Sequence, residues 1–74
     1  MTHFTKYAEQ KFEILNAHEV FYTREQIEDV VNAPTEVKKG KNHSAAIKDN
    51  IKVIYKQQMK VKRIITFFPV KYDL

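Results

Sequence analysis

Ile51-Lys52-Val53-Ile54-Tyr55-Lys56 is the stretch whose reading decides the fold. In an extended chain Ile51, Val53 and Tyr55 fall on one side and Lys52, Ile54 and Lys56 on the other. That period of two belongs to a half-buried β-strand. Downstream, Gln57–Lys60 reads as a turn and Val61–Phe68 as the longest and most apolar strand. Pro69 closes it, having no N–H to offer a ladder. The tail, Val70–Leu74, is expected to be loosely structured. Upstream, Asp49-Asn50 is a two-residue turn of the kind tight hairpins prefer, although the usual Gly is missing. Ser44–Lys48 is a second strand with Ala45 and Ile47 on one face, Lys39–Asn42 a turn, and Thr35–Lys38 a short strand.

Before Pro34 the spacing becomes helical. Thr5 is placed to cap a helix over Lys6–Ala17, in which Phe4, Ala8, Phe12 and Leu15 share a face that Tyr7 and Ile14 widen. Thr23-Arg24-Glu25-Gln26 has the form of a capping box, with Tyr22 and Ile27 positioned as a hydrophobic staple. Ile27, Val30 and Val31 supply the buried stripe. Pro34 drives Ala33 out of helical geometry, so this second helix should end near Asn32.

The predicted fold is therefore α+β. Two N-terminal helices precede a three- to four-stranded antiparallel sheet, with the helices gathered on one sheet face. The expected core is Phe12, Leu15, Ile27, Val31, Val53, Tyr55, Ile65 and Phe67 or their neighbours. Residues 1–74 form one domain, close to the lower size limit for a chain without covalent staples.

Composition narrows the chemistry. The 74 residues include no Cys and a single Gly, so disulfides, thiolate sites and Gly-rich phosphate loops are excluded. His3, His18 and His43 lack metal-ligand spacing, and no metal or cofactor is expected. No apolar run approaches the ~20 residues of a membrane span. The expectation is a soluble, cytoplasmic protein without membrane association. The net charge of +4 hides a split: residues 1–34 hold three basic and six acidic side chains, and residues 35–74 hold ten basic and three acidic ones. A basic half of this kind points to a polyanionic partner.

Lys48, Lys52, Lys56, Lys62 and Arg63 surround Tyr55, Phe67 and Phe68 in the strands. Cations that bind a phosphodiester backbone and flat rings that stack on bases are what RNA recognition requires. These five cations form the predicted RNA-binding set. A nuclease that uses the substrate's own 2′-OH needs only positioning, charge stabilisation and proton transfer. Arg63, which can grip two phosphate oxygens at once, Tyr55 and His43 are the candidate catalytic groups.

Six segments carry a family resemblance. Phe4–Glu9 with Lys11–Leu15, then Thr23–Ile27 with Asn32-Ala33-Pro34, resemble the helical half of a small prokaryotic domain-of-unknown-function family. That family is related to BrnT and, more distantly, to RelE/ParE-type toxins. Ile51–Tyr55 and Ile64–Pro69 are similar to its third and closing strands, and the likeness extends over residues 3–72. It implies two helices followed by a curved antiparallel sheet, and a toxin-antitoxin context in which RelE-like members cleave messenger RNA. Arg63 and Tyr55 lie in elements comparable to those that supply catalytic groups in such toxins. The chain departs from the family at Tyr7, where a His is usual, and this weakens the enzymatic form of the reading. The leading expectation is a toxin-like RNA-binding domain, with metal-independent ribonuclease action as its catalytic version. The alternative is a non-catalytic module that pairs with an antitoxin-like protein or forms a homodimer, motivated by aromatics near Phe67, Phe68 and Tyr72.

Overall fold

The computed structural model describes residues 2–70; the tail from Lys71 to Leu74, with Tyr72, lies outside the described residues. The elements are β1 (Thr2–Phe4), α1 (Lys6–Ala17), α2 (Arg24–Asn32), β2 (Glu36–Lys39), β3 (Ser44–Lys48), β4 (Ile51–Gln58) and β5 (Val61–Pro69). The strands form one sheet in the order β1-β5-β4-β3-β2. The α+β class and both helices match the sequence reading, but the sheet has five strands and is mixed. β1 runs parallel to β5, with Thr2, His3 and Phe4 opposite Lys62, Arg63 and Ile64. Three residues are too few to show a period, and the spacing from Phe4 to Ala8 mimics a helix. Phe4 still stacks on Phe12 at 5.7 Å, from the strand side of the junction.

Thr5 holds that junction. Its hydroxyl accepts from the Ala8 amide at 3.3 Å and donates to the Ile64 carbonyl at 2.8 Å. Its own amide donates to the same carbonyl at 3.1 Å. α1 ends in a Schellman motif, with the Val20 amide on the Leu15 carbonyl at 2.8 Å and the Glu19 amide on Asn16 at 3.0 Å. α2 opens with both bonds of the capping box, Gln26 N–H to Thr23 Oγ1 at 3.1 Å and Thr23 N–H to Gln26 Oε1 at 2.8 Å. Arg24 then joins the helices: it pairs with Glu9, and its guanidinium lies 5.0 Å from the Phe4 ring and 5.7 Å from Phe12.

Ala8 and Leu15 of α1 and Ile27, Val30 and Val31 of α2 pack on Ala46, Ile51, Val53, Tyr55, Ile64 and Phe67 of the sheet. Phe67 is the central ring, 4.6 Å from Phe12 and 6.2 Å from Tyr22. Two expectations fail here. Tyr7 and Ile14 do not widen the buried stripe: they are 76% and 52% exposed, because α1 meets the sheet only along its Ala8–Leu15 edge. Ile64, not Ile65, faces the helices. Ile54 pairs with Thr66 but Tyr55 pairs with Ile64, so Ile65 is an extra residue in β5. That bulge shifts the alternation by one position.

Candidate nucleic-acid interface

The helices cover one face of the sheet, and strand alternation assigns the remaining side chains to the other, open face. Register places Lys56 beside Arg63 and Arg63 beside His3, a row of three exposed nitrogenous side chains across three strands. Ile47, Lys52 and Phe68 form another row, and Ala45, Ile54 and Thr66 a third between them. The Lys52 ammonium sits 5.9 Å from the Phe68 ring centroid. Lys38, His43, Ala45, Lys52 and Ile54 line a shallow groove of about 270 Å³ on this side. Glu36 is the one acidic residue within the five strands, and it sits on the edge strand β2.

The β4–β5 hairpin concentrates the charge. Residues 50–70 contain Lys52, Lys56, Lys60, Lys62 and Arg63 and no Asp or Glu. Lys56 to Lys60 are all exposed, so this end of the hairpin stands clear of the helix layer. Glu9, Glu13, Glu25, Glu28 and Asp29 lie on α1 and α2, across the sheet from the open face.

The predicted RNA-binding set divides between the two faces. Lys52, Lys56 and Arg63 are on the open face. Lys48 is on the helix side, where its ammonium donates to Asp29 at 2.7 Å; that hydrogen bond raises its pKa. Lys62 is there too, donating to the Val31 carbonyl at 3.1 Å with its ammonium 5.7 Å from the Tyr55 ring. The candidate catalytic residues are likewise not brought together. Arg63 is on the open face, Tyr55 is 6% exposed on the helix face, and His43 is in the β2–β3 loop. The cause is the pleat: Tyr55 precedes Lys56 and Lys62 precedes Arg63, and each single step reverses the face.

Sequence reasoning missed His3, because β1 was not foreseen, and Lys38, because its strand carries little pattern. The 21-residue run 50–70, free of acidic side chains, is the signal that would have drawn attention to the hairpin as a unit. No helix among the described residues is long and apolar enough to cross a membrane. The chain matches no protein-family model, no curated protein and no solved structure.

Proposed function

We propose that this domain binds single-stranded RNA on its open sheet face, as a toxin-like module of the kind its resemblance to the BrnT and RelE/ParE group implies. One observation carries this reading: an acid-free hairpin presents Lys52, Lys56, Arg63 and Phe68 on a face opposite the acidic helices. Spaced cations neutralise successive phosphates, and a ring on the same surface offers a stacking platform that a paired duplex could not use. The catalytic version of the reading depends on His3. Register puts that imidazole beside Arg63, whereas Tyr55 is buried on the other side.

Fluorescence-anisotropy titration of a short unpaired RNA across a salt series tests the proposal. With three or four phosphates neutralised, log K should fall against log salt with a slope of about −2 to −3. Arg63→Ala should make that slope shallower by ~0.7 and leave the melting temperature unchanged. No binding at low salt, or a slope indifferent to Arg63→Ala, would refute it. Cleavage in the same samples, abolished by His3→Ala, identifies the ribonuclease version.

A second reading has its own observation. Tyr7 and Ile14, two turns apart on α1, and Phe21 beyond it are 76%, 52% and 70% exposed. An apolar stripe of this kind suits a protein partner, either an antitoxin-like chain or a second copy. Light scattering over a concentration series reads the second-copy form; a strict monomer at every concentration removes it.

A further inference from the structure

The helix side of the sheet holds a cleft that the RNA-binding face does not use. α2 stops at Asn32, but the strands continue past it. Toward this end of the sheet the inward-facing positions turn from apolar to polar: Val37 gives way to Lys39 and Ala46 to Ser44 level with Tyr55 and Ile64, which give way to Gln57 and Lys62 one step further on. The result is a groove of about 460 Å³ with no acidic side chain in its lining.

Its polar groups converge. Lys39 is in register with Ser44, and Ser44 with Tyr55, so an ammonium and two hydroxyls adjoin along one row. Tyr55 is 6% exposed, and its ring forms the floor. Its hydroxyl has no hydrogen-bond partner among the described residues, and no buried side-chain oxygen there is left unsatisfied, so the hydroxyl opens into the cleft. The side chains of Lys39 and Ser44 are also without a hydrogen bond among the described residues. Lys62 is held by the Val31 carbonyl over the Tyr55 ring, which fixes a second cation at the rim and offsets the negative end of α2.

We infer that this cleft binds a nucleoside monophosphate: its phosphate meets Lys39, Ser44 and the Tyr55 hydroxyl, and its base lies along the apolar wall of Pro34 and Val37. One cation held in place, Lys62, a second that is uncommitted, Lys39, several unspent donors and an apolar wall in a concavity of this volume suit a phosphate attached to a flat ring. The same chemistry is offered by a free nucleotide and by the phosphorylated end of an RNA strand. The second source rests on the RNA-binding reading above; the first does not.

Amide-resolved NMR titration of the intact chain with AMP, inorganic phosphate and adenosine tests the inference. AMP should produce saturable shifts at Ser44, Tyr55 and Gln57, at lower concentration than phosphate or adenosine alone. Tyr55→Phe, which keeps the ring in the core, should weaken AMP by about 2- to 12-fold, and Lys39→Gln by a comparable factor. Arg63→Ala should leave AMP binding intact, which separates this site from the open face. A terminally phosphorylated oligonucleotide that competes with AMP, where its unphosphorylated counterpart does not, assigns the strand-end source; equal competition by both, or by neither, assigns the free nucleotide. Shifts confined to Lys52, Thr66 and Phe68, equal affinity for all three small ligands, or indifference to both substitutions would overturn it.

Discussion

At the scale of single residues, the chain keeps backbone conformations that its side chains do not favour. Glu19 closes the Schellman motif of α1 with φ at 62°, where Gly is usual, and places a carboxylate at the negative end of the helix. Glu19→Gly is therefore expected to stabilise the fold by about 1 kcal/mol, a rise of roughly 4–8 °C in melting temperature for a domain of this size. Thermal denaturation followed by circular dichroism reads it directly. Gly40 presents the opposite case. A Cβ there would lie 2.5 Å from the His43 carbonyl oxygen, the group that accepts the Gly40 amide at 2.9 Å. Gly40→Ala must push backbone against backbone in the β2–β3 loop, and a loss of about 1–3 kcal/mol in urea denaturation is expected. Sequence alone marked Gly40 as a turn residue. It could not show that close approach, and not left-handed backbone, is the reason.

Between residue and molecule stand the elements and their joints. Helix limits were legible because caps are local: Thr5, the Thr23–Gln26 box and Pro34 act within four residues of the ends they set. The bulge at Ile65 was not, since it exists only relative to a partner strand. Thr5 joins two levels, capping α1 and tying it to β5, so Thr5→Ala should cost about 1–2 kcal/mol, more than a cap on an isolated helix. Thr5→Ser should recover most of that loss. The α2–β3 joint is electrostatic. Hydrogen bonding to Asp29 raises the pKa of Lys48, and burial raises that of Tyr22 beside the core. Both groups hold their protons longer in the folded chain than in the unfolded one. The stability they contribute is complete below about pH 10 and is lost as pH rises through the folded values. Alkaline titration of Lys48→Gln should therefore converge with the parent above that range, whereas a parallel offset at every pH would count against the ion pair.

The whole molecule separates charge by layer. Acidic helices back a sheet whose far face carries Lys52, Lys56 and Arg63. Charge density of this kind acts through long-range fields, so under the proposed RNA-binding function the association rate should fall with ionic strength more steeply than the dissociation rate rises. Stopped-flow mixing at two salt concentrations checks this. The split between residues 1–34 and 35–74 was visible in the sequence; its division into faces was not. Two of the five cations expected to act together, Lys48 and Lys62, are committed to the helix layer.

What the sequence determined by itself was local: the two helices and their ends, the Asp49-Asn50 turn, the alternation of β4, and the absence of acidic residues between positions 50 and 70. Each follows from the chemistry of neighbours along the chain. The turn expected over Gln57–Lys60 is confined to Met59-Lys60, because Gln57 and Gln58 pair with β5. Tertiary structure alone decided that β1 joins the sheet beside Arg63, that a bulge turns Ile64 inward, and that Tyr55 and Arg63 occupy opposite faces. It also decided that a cleft opens where α2 ends before its strands do. Those are facts of how segments distant in sequence meet, and for the facing of Ile64, Tyr55 and Arg63 a slip of one residue in register would reverse the outcome.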